Sequence, residues 1–98
     1  MVRYTYKDAE KCAKYLADEI GIKKFGECWS KSSGWGVGCW QVDCNPYYGG
    51  CVIEEITNDS GGTSSPLGST RLPPRDFCTA TRMAMSAVAY YKKYVERR

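Results

Sequence analysis

The sequence has no histidine. Catalytic triads, His-bound zinc and a side-chain charge switch near neutral pH thereby lose their usual residue. It also has no apolar run approaching the roughly eighteen residues that a membrane-spanning helix needs, so no membrane partner is expected. Met1 to Glu10 carries charges every few residues and no apolar stretch, unlike a secretory signal. What is present is a globular composition: 43% hydrophobic and 26% charged residues, with a net charge of +3 over 98 residues. A chain of this length builds one core, and residues 1–98 are expected to form a single domain.

Two helical patterns bracket a region of different period. Thr5 followed by Asp8 is a variant of the capping box, and Ala9, Cys12, Ala13, Leu16, Ala17 and Ile20 then recur at helical spacing up to Gly21. This predicts a helix from about Tyr6 to Ile20. Pro73-Pro74 opens a second pattern, with Phe77, Ala80, Ala84, Val88, Tyr91 and Val95 at spacings of three and four. The helix it predicts runs from about Pro74 to Val95, with Ala80, Ala84 and Ala87 allowing a close approach to a sheet. Between them, Lys24 to Lys31 reads as a short strand carrying Phe25 and Trp29, and Ser32 to Gly36 as a turn. Val37 to Cys44 and Cys51 to Thr57 read as two strands joined by Asn45-Pro46-Tyr47-Tyr48-Gly49-Gly50. With Cys44 facing Cys51, one sheet face carries Trp40, Val42, Cys44, Cys51, Ile53 and Glu55, and is assigned to the core. The other carries Cys39, Gln41, Asp43, Val52, Glu54 and Ile56. Glu55 and Ile56 fit this badly, and a bulge near the strand end is expected to correct it. Asn58 to Ser69 reads as a long loop, mobile or functional. The expected fold is α+β: a small antiparallel sheet of two or three strands with the N-terminal and the long C-terminal helix packed on one face.

Six cysteines, Cys12, Cys28, Cys39, Cys44, Cys51 and Cys78, are an even number in a short chain. A secreted protein of this size would read as a disulfide framework; with no signal visible and a core to offer, free thiols are expected. Cys44 opposite Cys51 would close a cross-strand disulfide if oxidised. Cys28, Cys39, Cys44 and Cys51 lack the close C-x-x-C spacing of a structural zinc site, and the predicted register puts Cys39 and Cys44 on opposite faces. No metal and no cofactor are expected. Gly34-Trp35-Gly36-Val37-Gly38 precedes a strand rather than opening a helix, so a turn outweighs a phosphate loop. Asp43 and Glu54 share a face, but one read as solvated, so a polar sheet surface outweighs acid–base chemistry. No residue is nominated as catalytic.

Charge is uneven along the chain. Residues 69–98 hold seven basic against two acidic groups, whereas the first 68 residues hold seven against nine. Arg71, Arg75, Arg82, Lys92, Lys93 and Arg97, interleaved with Tyr90, Tyr91 and Tyr94, are candidates for nucleic-acid binding; a solvated helix face is the plainer reading. Trp29, Trp35, Trp40, Tyr47 and Tyr48 crowd the sheet region, and exposed aromatics are common interface anchors. Trp35, Tyr47 and Tyr48, with Asp43 and Glu54, are therefore candidate protein-binding residues.

The segment from Trp40 to Phe77 resembles small uncharacterised proteins encoded by tailed phages and found in viral metagenomes. Trp40-Gln41-Val42-Asp43, Asn45-Pro46-Tyr47-Tyr48-Gly49-Gly50, Ile53-Glu54-Glu55-Ile56, Asn58-Asp59-Ser60-Gly61-Gly62, Pro66-Leu67-Gly68 and Arg71-Leu72-Pro73-Pro74-Arg75-Asp76-Phe77 carry the resemblance. It implies a cytoplasmic setting in an infected host cell and brings no activity with it. The helix–strand–strand–strand–helix order is also similar to that of double-stranded-RNA-binding domains, without their lysine-rich second-helix start, although Arg71 and Arg75 are nearby, and without their histidine-containing strand loop. The expectation is a small non-enzymatic binding protein with a protein partner, nucleic acid being the alternative and homo-oligomerisation left open.

Overall fold

The computed structural model describes residues 4–96. Thr5 stands in extended backbone, and its hydroxyl accepts the Asp8 N–H at 3.3 Å while the Asp8 carboxylate accepts the Thr5 N–H at 2.8 Å. This reciprocal cap starts helix α1, Tyr6–Ile20. Ala9, Cys12, Ala13, Leu16 and Ala17 are buried, and the Gly21 N–H, in left-handed backbone, closes the helix on the Ala17 carbonyl. The expected helix is present, although Ile20 at its end stays exposed.

The cap predicts an acid sensitivity. The N–H and then the hydroxyl of Thr5 hold the Asp8 carboxyl below its ordinary value. A carboxylate whose pKa is depressed by folding contributes stability above its unfolded pKa, here 3.8, and the contribution is lost as pH falls through the folded value. Thermal melts at pH 5 and pH 2.5, followed at the helical circular dichroism band, should show a smaller acid-induced loss in Asp8→Asn than in wild type. An equal loss would remove Asp8 from the account.

Beyond α1 the chain builds two small antiparallel sheets. Strands β1, Trp29–Ser30, and β2, Gly34–Trp35, form a hairpin. Strands β3, Trp40–Asn45, β4, Gly50–Ile56, and β5, Thr63–Ser64, form a sheet in the order β3-β4-β5, with the 3₁₀ turn Pro46–Tyr48 between β3 and β4. Helix α2 runs Pro74–Glu96. The α+β class is as expected, and the details differ in four places. Only Trp29–Ser30 of the Lys24–Lys31 segment is a strand, because Glu27 at φ 49° breaks the extended backbone; Phe25 contributes a single parallel bridge to Trp40. The segment read as a turn, Ser32 to Gly36, contains β2. The strand expected from Val37 begins at Trp40. The third strand of the main sheet is Thr63–Ser64, inside the stretch read as loop, where the Asn58 side-chain oxygen accepts the Ser60 and Gly62 N–H groups at 2.9 Å and turns the chain back.

The β3–β4 register pairs Cys44 with Cys51 and Trp40 with Glu55 and runs unbroken. A glycine bulge does form at that end, where the Gly38 N–H, at φ 88°, donates to the Ile56 carbonyl at 2.8 Å and the Ile56 N–H to the Cys39 carbonyl at 3.0 Å, but it leaves Glu55 and Ile56 on the faces first read, for two reasons. Glu55 belongs on the helix-covered face because its carboxylate accepts the Trp40 indole N–H at 2.9 Å. Ile56 belongs on the opposite face because that face has a core of its own, formed by Cys28, Cys39 and Ile56 under Trp35. The larger core lies between sheet and helices: Ala9, Ala13, Leu16 and Ala17 of α1, Phe77 of α2, and Trp40, Cys51 and Ile53 of the sheet. Alanines at α1's contact positions let the elements approach closely.

Helix α2 packs chiefly on α1 rather than on the sheet. Its buried residues are Phe77, Cys78 and Thr81, with Ala84 and Met85 packed partly beneath. Ala80 and Ala87, expected at the sheet, face solvent, as do Tyr91 and Val95. Helix α2, at twenty-three residues, is longer than α1 at fifteen, and residues 90–96 of its last turns are exposed.

The expectation of free thiols is corrected at one pair. Cys28 and Cys39 are joined by a disulfide, with Cα atoms 5.7 Å apart. The Gly36 N–H donates to the Cys28 carbonyl at 2.7 Å, continuing the β1–β2 pairing, and the Cys39 N–H turns back to the Gly36 carbonyl at 3.1 Å, which brings the two buried cysteines together. Cys12, Cys44, Cys51 and Cys78 carry free thiols. Among the described residues no helix is long and apolar enough to cross a membrane.

Candidate functional site

The turn between β3 and β4 is held from several directions. The Asn45 side-chain oxygen accepts the Tyr47 N–H at 2.9 Å, Pro46 fixes the first helical position, and Gly49 ends the turn in left-handed backbone. Gly50 lies against the Leu72 carbonyl so closely that a Cβ there would sit 2.1 Å from its oxygen. Next to it, Cys51 and Leu72 exchange N–H···O bonds of 2.7 and 3.0 Å. Arg71 completes the clamp: its guanidinium donates to the carbonyls of Asp43 and Gly50 at 3.2 and 3.1 Å and to the Asp43 carboxylate at 2.5 Å. On this fixed frame Tyr47 is 93% exposed and Tyr48 72% exposed. Two rigidly presented tyrosines offer large amphipathic contact area at low cost in side-chain entropy.

The other nominated protein-binding residues divide between the two ends of the sheet. Asp43 stands beside the turn, bound to Arg71. Glu54, on the same helix-free face, accepts the Gln41 side-chain N–H at 3.3 Å. Trp35 lies on β2 at the far end, half-buried on Cys28, Cys39 and Ile56. Gly61 approaches the Trp35 ring so closely that a Cβ would meet it at 2.6 Å. Trp35 is therefore a packing residue that also gives the Asn58–Gly62 turn something to cover. Its cross-strand partner Trp29, not nominated from the sequence, is exposed.

The nominated cations are scattered and partly engaged. Arg71 is spent on the turn. The Arg82 guanidinium lies over the Tyr4 ring, 5.8 Å from its centroid. The Lys92 ammonium donates to the Glu19 carbonyl and stands 3.7 Å from the Glu19 carboxylate. Arg75 and Lys93 are exposed near opposite ends of α2, and Arg97 lies outside the described residues. What α2 presents is thus separate charges along its length. Sequence spacing gave no sign that Arg71, twenty-eight residues from Asp43, would serve the fold.

Three of the free thiols are unsuited to nucleophilic work. Burial, reinforced by the neighbouring Cys51 thiol, pushes Cys44 well above the ordinary thiol value. Burial likewise raises Cys51, and burial together with the Cys12 thiol pushes Cys78 up to about 12. Each shift favours the neutral thiol, whereas the thiolate is the nucleophile. The cleft of about 290 Å³ between Gly21–Lys24 and Gly36–Cys39 is lined by backbone, aliphatic groups and two lysines, without a paired acid and base.

No family model, no curated protein and no solved structure matches this chain.

Proposed function

We propose that this chain is a small non-enzymatic binding protein that engages a protein of a phage or of its host through the β3–β4 turn, with Tyr47 and Tyr48 as anchors. The observation that carries the reading is the contrast between frame and tip. The backbone of the turn is tied by Asn45, Leu72 and Arg71, while the two tyrosines stand exposed on it. Binding then orders few side chains, which leaves more of the contact energy as affinity. The resemblance of Trp40–Phe77 to tailed-phage proteins supports the choice of partner.

The test begins with affinity capture on the immobilised chain, after which each recovered protein is purified and titrated. Tyr47→Ala/Tyr48→Ala should weaken binding by about thirtyfold, the effect of losing an anchor worth about 2 kcal/mol. Tyr90→Ala/Tyr91→Ala on α2 should leave it within a few-fold, and circular dichroism should show both variants folded. Equal affinity across wild type and both variants defeats the reading. Nucleic-acid binding that falls steeply with the logarithm of salt and ignores Tyr47 and Tyr48 would replace it with the alternative.

A further inference from the structure

The four free thiols stand as two facing pairs. Cys44 and Cys51 are direct cross-strand partners. Both backbone groups of Cys51 are turned the other way, to Leu72, so Cys44–Cys51 is a non-hydrogen-bonded pair, the arrangement that brings opposite Cα atoms to about 4.5 Å and their side chains closest. That separation lies within the range of disulfides, and the two side chains share the helix-covered face of the sheet. Cys12 and Cys78 are both buried, on the faces by which α1 and α2 pack together, and each thiol lies near enough to bear on the other.

We infer that Cys44–Cys51 and Cys12–Cys78 are disulfide sites, and that together with Cys28–Cys39 they make this a three-bridge protein. Six cysteines allow fifteen pairings, and this fold gives each cysteine one facing partner. Metal binding is the rival use of clustered thiols, and among the described residues no group of three or more metal-ligating side chains assembles. Each bridge spans a different contact: hairpin to sheet, strand to strand, and helix to helix. Cys12–Cys78 joins positions near the two chain ends, and so removes the most freedom from the unfolded chain.

A disulfide such as oxidised glutathione serves as the oxidant. One cysteine thiolate attacks it, forming a mixed disulfide and releasing a glutathione thiolate. The partner cysteine then attacks the protein-bound sulfur and releases a second. The two protein thiols lose two electrons, the glutathione disulfide gains them, and the two protons end on the released thiolates. Because burial raises Cys44, Cys51 and Cys78, closure in the folded chain should be slow at neutral pH and accelerate as pH rises.

The experiment uses the full chain refolded in reduced and oxidised glutathione, quenched with iodoacetamide and weighed intact. The expected species takes up no iodoacetamide and is about 6 Da lighter than the reduced chain, two hydrogens per bond. Cleavage before Asp43 separates Cys39 from Cys44 and Cys51; cleavage after Tyr47 or Tyr48 should then leave the Cys44 and Cys51 fragments joined, and the Cys12 fragment joined to that of Cys78. Single variants provide the second arm. After unfolding in denaturant, Cys44→Ser should release Cys51 alone to alkylation and Cys12→Ser should release Cys78 alone. Alkylation of Cys12, Cys44, Cys51 and Cys78 in refolded wild type, or release of any other partner, overturns the inference.

Discussion

Gly50→Ala should destabilise the chain by about 3 kcal/mol or more and displace the tyrosine turn with it. Gly50 has φ 122°, a backbone region that side chains rarely enter, and a Cβ would sit 2.1 Å from the Leu72 oxygen and 2.5 Å from its carbonyl carbon. Neither neighbour can give way locally. Leu72 is fixed by its two bonds to Cys51, and Arg71 beside it is held to the Gly50 carbonyl itself. To admit a methyl group the Leu72 segment must move off the edge of β4, which breaks the Cys51–Leu72 pair and unseats Arg71 from Asp43. Gly49→Ala is the control. Its φ of 100° carries strain, but its Cβ would meet only the Arg71 Cβ, at 3.8 Å, so about 1 kcal/mol is expected. Urea denaturation of the two variants separates clash from strain; a Gly50→Ala midpoint as high as that of Gly49→Ala would show that the Leu72 segment is pliant and the turn not fixed by it.

That contact also shows where the sequence was legible and where it was not. The register of β3 and β4 followed from a single assumption, Cys44 opposite Cys51, because a period of two leaves only one way to put Trp40, Val42 and Ile53 on the same side. The capping box and Gly21 marked α1 almost to the residue, since caps are local chemistry. The errors lie where the deciding partner is distant. Ile56 looked misplaced because nothing local shows that the β1–β2 hairpin, tied by Cys28–Cys39, roofs the second face. Thr63–Ser64 looked like loop because a two-residue strand has no period, and its pairing depends on the Asn58 turn. The stripe of α2 was rotated because Ala80 and Ala87 fit a helix–sheet contact by size, whereas the actual neighbour is α1, met through Cys78 and Thr81. At the candidate site the turn residues were visible as composition, and Tyr47 and Tyr48 followed from them. The Arg71 clamp was invisible, since it depends on the loop and strand returning to the same edge.

The second large effect concerns the residue on which both readings of the sheet converge. Trp40→Ala should cost about 3–5 kcal/mol, a large part of the 5–15 kcal/mol typical of a folded domain. Trp40 is 4% exposed in the main core, and its backbone exchanges bonds of 3.1 and 2.8 Å with Lys24 and Gly26, so α1, the Phe25 segment and the sheet all meet at this side chain. The indole N–H gives a finer test. Its acceptor is Glu55 at 2.9 Å, and Glu55→Ala leaves a buried donor without that partner, at about 1–3 kcal/mol. Trp40→Phe removes the donor and much of the reason for a carboxylate on the core face. In a double-mutant cycle the two substitutions should therefore be non-additive by more than about 0.5 kcal/mol, Glu55→Ala costing less in the Trp40→Phe background than in wild type. Additive losses would mean that Glu55 is tolerated there by solvent access alone, and that the unbroken register owes nothing to the indole. A coupled loss identifies the pair as the reason Glu55 stays on the core face: one hydrogen bond keeps a charged residue on the buried side, and β4 needs no extra residue of its own to turn it out.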